Sequence, residues 1–151
     1  KNATNMRGFT LVEMMIVIAL LGIMFAIAIP AWMQFRPNTD LRTAARGIAG
    51  DFFNMKQRSF AEQTPYRIVF DRVNQSYQLI NDSTNVTMQT KNFAEFDGNI
   101  ELITTFPNDT INFFTRGTAS PGSVTLTNSR NSTATIRVNM TGRTHVTYNM
   151  Q

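Results

Sequence analysis

The chain has 151 residues, no cysteine, one histidine and a formal net charge of +4. Without cysteine there is no disulfide framework, so an exported domain of this sequence is held by its core alone. With His145 as the only histidine, neither a histidine-based metal cluster nor a Ser-His-Asp arrangement is available, and no Gly-rich phosphate loop appears.

The first eight residues carry Lys1 and Arg7, no acid, and close on Gly8. An apolar run follows, and residues 14–33 hold no charge. At about 1.5 Å of rise per residue this run spans roughly 30 Å, one bilayer core. A buried helix of a soluble domain is one rival, but such helices break the run with polar residues. A cleavable secretory signal is another. Its small residue follows a shorter apolar core, whereas Gly8 stands before this one. Cutting after Gly8 removes the basic leader and leaves the helix on the mature chain. The positive leader puts the N-terminus on the cytoplasmic side and everything after Arg36 outside. Glu13 is the one ionisable group inside the apolar run. A carboxylate there is costly and reads as functional.

Pro37 and then Asn38-Thr39-Asp40 predict the N-cap of a second helical stretch. Leu41, Ala45, Ile48, Phe52 and Met55 recur at three- and four-residue spacing, one apolar face on a helix to about residue 60. Arg42, Arg46, Asp51, Lys56 and Arg58 fall mostly on the other faces. From Pro65 the pattern turns to short strands. Residues 66–72 and 76–81 predict a hairpin, and strands follow at 100–104, 111–115, 123–127, 134–140 and 144–150. Val124 and Leu126 alternate with threonine, as Ile136, Val138 and Met140 alternate with Arg137 and Asn139. That predicts an antiparallel sheet with one dry and one wet face. For the last hairpin, a three-residue loop Thr141-Gly142-Arg143 pairs Val138 with Val146 and Ile136 with Tyr148. It places Gly142 in a left-handed conformation and Arg143 at an exposed tip. The fold class is α+β: a long N-terminal helix, transmembrane in its first half and amphipathic in its second, packed on antiparallel β structure.

The string Arg7-Gly8-Phe9-Thr10-Leu11-Val12-Glu13 and the apolar run after it resemble the class III signal of type IV prepilins and type II secretion pseudopilins. The resemblance implies cleavage between Gly8 and Phe9 by a prepilin peptidase and methylation of Phe9. It makes Glu13 the fifth mature residue, which in the family meets the N-terminal amine of a neighbouring subunit during assembly. Such a pairing makes a buried carboxylate tolerable and fixes the stagger of packed helices. Gly22 and Pro30 sit where pilins place a Gly and a Pro. The segment between them is either a point where the helix loosens as subunits leave lipid or a simple transmembrane kink. The remainder resembles the GspH/FimT-like minor pilins and pseudopilins. The shared features are the helix over 41–60 followed by Tyr66-Arg67-Ile68-Val69-Phe70, then Ile111-Asn112-Phe113-Phe114 with Gly117. Gly122-Ser123-Val124-Thr125-Leu126 and the late Thr141-Gly142-Arg143 turn complete the pattern. Some members carry a Gly-Arg-x-Arg motif implicated in DNA uptake. Here it reads Gly142-Arg143-Thr144-His145.

The resemblance therefore implies a leader at 1–8, a transmembrane and assembly helix at 9–36 and an outer, pilin-fold domain at 37–151. The expected function is a structural, minor subunit of a type IV pilus or type II secretion pseudopilus, with no enzymatic activity and no cofactor. Expected partners are prepilin peptidase, other pilins or pseudopilins, an inner-membrane assembly platform, and membrane lipid before assembly. The expected location is the bacterial inner membrane in a single pass, with the outer domain periplasmic, and then the filament. Beyond residue 110 the chain has four arginines and no acid. They read either as solvated arginines on the wet face or, through Arg137, Arg143 and His145, as a nucleic-acid contact for DNA uptake. Asp97, Asn99 and Glu101 around Gly98 read as a simple turn, with a calcium loop as the weaker reading.

Overall fold

Thr10 starts the first helix by capping it. Its backbone N–H donates to Glu13 Oε2 at 2.9 Å, and the Glu13 N–H returns a bond to Thr10 Oγ1 at 3.2 Å. This Thr-x-x-Glu exchange satisfies two of the amide donors that a helix start leaves orphaned. The computed structural model describes residues 9–93 and 100–151, with residues 30–35 in their backbone alone. Helix α1 runs from Leu11 to Ala61 (51 residues).

The expected restart at Pro37 does not occur. α1 continues through Pro30 and Pro37, each of which removes one intrahelical donor. Asn38 is not an N-cap, because its side chain is engaged by the β structure. It donates to the Gln151 carbonyl at 3.2 Å and accepts from Asn128 Nδ2 at 2.9 Å. Packing of the following turns, from Leu41 onward, overrides the local capping signal.

The chain divides into two units, Lys1–Phe35 and Arg36–Gln151. In the first, Leu11–Ile29 is long and apolar enough to cross a membrane, and none of it is buried. That lack of burial separates it from the core helix of a soluble domain.

Among its described residues the second unit holds eight strands: β1 Tyr66–Asp71, β2 Ser76–Asn81, β3 Val86–Asn92, β4 Glu101–Thr104, β5 Thr110–Phe113, β6 Gly122–Thr127, β7 Thr133–Val138 and β8 Thr144–Asn149. They form two four-stranded antiparallel sheets, β3-β2-β1-β5 and β4-β6-β7-β8, rather than the one sheet expected. Alternation along a strand tells which side chains are dry. It does not tell which strands share a sheet. β3 is absent from the sequence reading. Its residues Val-Thr-Met-Gln-Thr-Lys-Asn are nearly all exposed, so no dry face marks it. It is an edge strand, held by its pairing with β2 across a register shift at Leu79/Ile80.

One core joins the helix and both sheets. α1 contributes Leu41, Ala44, Ala45, Ile48, Phe52 and Met55, the first sheet Tyr66, Ile68, Phe70, Leu79, Ile111 and Phe113, and the second Leu102, Val124, Leu126, Ile136 and Val138. Phe52 sits among Phe70, Phe106 and Phe113, with ring centroids 6.0–6.4 Å away. Such edge-on contacts add about 0.5–1.5 kcal/mol per pair to the gain from burial. With no disulfide, this cluster is the source of the domain's stability.

Candidate functional site

Two places carry the residues expected to function. The first is the start of α1. Glu13 is exposed, and its carboxylate also accepts the Thr10 hydroxyl at 3.1 Å. Phe9 is exposed beside it. Gly8 and the rest of the 1–8 leader lie outside the described residues. Gly22 has open space around it, since a Cβ there would meet nothing within 4 Å. Pro30 is helical in its backbone.

The second place is the β7–β8 hairpin. Gly142 is left-handed as expected, with φ +67°, and Arg143 is exposed and outside the ladder. The register differs from the expected one by two residues. Val138 pairs with Thr144, Ile136 with Val146 and Ala134 with Tyr148. The loop is five residues long, 139–143, because Asn139 organises it. Asn139 Oδ1 accepts the Arg143 N–H at 2.9 Å and the Thr141 hydroxyl at 2.7 Å. The odd loop length keeps Val146 and Tyr148 on the same side as Ile136, packed against the core. It also sets Arg137 directly across from His145 on the exposed face. Arg143 follows two residues before His145. The three side chains are therefore brought to one end of one sheet surface.

Sequence reasoning missed what anchors this loop. Lys56 of α1 donates to the Thr141 carbonyl at 2.9 Å. Its stem packs so closely that a Cβ on Gly142 would come within 2.8 Å of Lys56 Cδ. Beside it, Phe53, Lys56, Gln57, Phe60, Arg116 and Gly117 line a shallow cavity of about 390 Å³. Phe53 and Phe60 are 58% and 60% exposed. Their seven-residue spacing on one helix flank was the available signal.

The ionic groups are distributed unevenly. The ion pairs found among the described residues are Arg58–Glu62, Arg67–Asp82, Arg72–Asp109 and Lys91–Asp51. None involves β6, β7 or β8. Asp51, read from sequence as lying off the apolar face, is buried (6% exposed). It is paid for by Lys91 Nζ at 2.8 Å and the Tyr77 hydroxyl at 2.6 Å. Burial, with the Asp51 carboxylate beside it, pushes the Tyr77 phenol up, so it remains a donor. This cluster fixes β3 to α1 and is structural.

No group of three or more His, Cys, Asp or Glu side chains able to hold a metal occurs among the described residues. Asp97 and Asn99 of the faint calcium pattern lie outside those residues, and Glu101 opens β4.

Comparison with known proteins agrees with this geometry. The prokaryotic N-terminal methylation motif matches residues 4–29, and the type II transport protein GspH model matches residues 44–142. A fimbrial protein of Pseudomonas aeruginosa is 30% identical over 109 residues, 66% of this chain and 67% of that protein. The chain spans between 27% and 67% of the length of the curated relatives it matches. Among solved structures, the minor pseudopilin EpsH from the type 2 secretion system of Vibrio cholerae superposes with a TM-score of 0.63 at 6% identity. The match covers 72% of this chain and 97% of that one. The type IV minor pilin FimU of Pseudomonas aeruginosa superposes with a TM-score of 0.61 at 10% identity, covering 75% and 92%. These two likenesses establish the α+β fold. The methylation motif, the unburied apolar helix and the matched domain together identify a structural, non-enzymatic subunit of the type IV pilin and pseudopilin superfamily, and the chain belongs within it to the GspH family.

Proposed function

We propose that this chain is a minor subunit of a type IV pilus or a type II secretion pseudopilus. A prepilin peptidase cuts it between Gly8 and Phe9 and methylates Phe9. The helix over 9–36 holds it in the inner membrane, with 37–151 on the periplasmic side. An inner-membrane platform then moves it into a filament with other pilins or pseudopilins. One observation carries this reading: every side chain of Leu11–Ile29 is exposed, so this apolar surface needs first lipid and then neighbouring helices. In the filament Glu13 exchanges its local partner Thr10 for the N-terminal amine of a neighbour and sets the axial register. Gly22, with open space around it, and Pro30 bound the segment that loosens on leaving lipid. Glu13→Ala tests the register role. The variant enters the membrane as wild type does, and filament incorporation, read by immunoblot of sheared filaments, falls at least tenfold, about 1.4 kcal/mol. Undiminished incorporation overturns it.

A second reading is favoured by the pairing of Arg137 with His145 beside Arg143, in a stretch without acids. In it, the hairpin contacts nucleic-acid phosphates during DNA uptake. The expected result is salt-dependent retardation of duplex DNA by the full chain in detergent, with Arg143→Ala lowering the salt slope by about one. Unchanged affinity and slope in that variant remove Arg143 from the contact.

A further inference from the structure

Among the described residues no strand pairs with the outer edge of β8, and the groups along it can be assigned. The Asn139 N–H donates to the Arg143 carbonyl at 3.1 Å, so that opposed pair is a hydrogen-bonded one. Bonded and non-bonded pairs alternate along an antiparallel ladder. With Arg137 opposite His145 and Ile136 opposite Val146, odd-numbered residues of β8 turn their N–H and C=O toward β7. Thr144, Val146 and Tyr148 turn theirs outward. β8 is the last strand of its sheet, and no backbone bond reaches these three outward groups among the described residues.

A flank of α1 runs alongside this edge. Arg42, Arg46, Ala49, Phe53, Lys56 and Phe60 recur at intervals of four, three, four, three and four, one stripe on the helix. The stripe meets the strand at both ends. The Arg42 guanidinium lies 5.8 Å from the Tyr148 ring centroid, and Lys56 bonds Thr141 just before β8. From Arg42 to Lys56 the helix rises about 21 Å, and from Thr141 to Tyr148 an extended chain spans about 23 Å. Helix flank and strand therefore run antiparallel between these two contacts, from Arg42 to Lys56.

The geometry points to this edge as a docking site for an acidic, extended segment of a neighbouring filament subunit, added as a further strand to β8. It rests on the reading of the chain as a filament subunit and names a contact that reading does not contain. Three features select the occupant. The outward N–H and C=O groups accept a strand backbone, and phosphates would leave the C=O acceptors unmatched. An added strand has one row of side chains beside Arg42, Arg46 and Lys56 and the other beside Arg143 and His145. Neither row meets an acid from α1's flank, β7 or β8, so both favour carboxylates. The exposed rings of Phe53 and Phe60 offer apolar anchors in the same stripe.

The probe is a capped synthetic peptide of alternating glutamate and valine, added to the full chain in detergent micelles. Amide exchange is read at Val146 and Tyr148. The expected result is slowed exchange at both, and affinity about five- to tenfold weaker for Val146→Pro, the loss of one or two backbone bonds. Proline is tolerated there because that N–H faces away from β7. Unchanged exchange in β6 checks that the variant is folded, and the same peptide with its pairing amides N-methylated tests the contact without altering the chain. Absence of binding overturns the proposal, as does equal binding by Val146→Pro or by the N-methylated peptide. An oligonucleotide of equal charge that binds more tightly, indifferent to Val146→Pro, overturns it in favour of a phosphate-binding surface. None of these outcomes alters the Glu13 result, so failure here is distinguishable from failure of the filament reading.

Discussion

Asp109 accepts hydrogen bonds from the Thr104 hydroxyl and, through Nε at 2.9 Å, from the Arg72 guanidinium. These donors, Thr104 first and Arg72 after it, hold its carboxyl below the ordinary carboxylate range. A depressed folded-state value stabilises the native chain above the unfolded value near pH 4, and that stability is lost as pH falls through the lowered value. Asp109→Asn is therefore expected to destabilise by about 0.5–1 kcal/mol at pH 7, because the pair is partly exposed, with the gap closing below about pH 4. Urea unfolding of both proteins at pH 7 and pH 3 checks it. Residues like this were not legible from the sequence, since Arg72 and Asp109 are 37 positions apart. Asp51 escaped for the same reason: its partners Tyr77 and Lys91 lie 26 and 40 residues away. Glu13 was legible because its oddity is local, a carboxylate in an apolar run. Its capping exchange with Thr10, three residues before it, went unread.

Among the elements, the β7–β8 hairpin shows how far pattern carries. Alternation demanded an odd loop and a left-handed Gly142, and both are present. The exact register depended on Asn139, whose side chain closes a five-residue loop where three residues would satisfy the same alternation. Gly142→Ala tests how tightly this loop is fixed. A Cβ there would lie 2.8 Å from Lys56 Cδ and 3.1 Å from the Gly117 carbonyl oxygen, at a φ that side chains rarely adopt. The expected cost is about 1–3 kcal/mol, read as a lowered midpoint in thermal or urea unfolding. β3 marks the opposite limit. A strand wet on both faces has no periodicity, and only its pairing with β2 and the Lys91–Asp51 contact create it. The helix over 41–60 was legible throughout because its apolar stripe is continuous, whereas the capping signal at 38–40 misled because capping is worth only about 1 kcal/mol.

At the scale of the whole molecule, the sequence identified an apolar helix, a single mixed core and antiparallel strands, but not their division between two sheets. Strand order makes that division unusual in time as well as in space. β1, β2 and β3 begin the first sheet, then β4 joins the second, and only afterwards does β5 return to pair with β1. A chain emerging from its N-terminus thus has the opening strand of one sheet in hand before the closing strand of the other arrives. The first sheet closes only when β5 arrives, after β4 of the second has been made, so any truncation before Phe113 leaves both with open ladders. Completion of the domain consequently comes late and waits for β8, Thr144–Asn149, which closes the second sheet. Until then the apolar stripe of α1 from Leu41 to Met55 lacks the second sheet's share of the core.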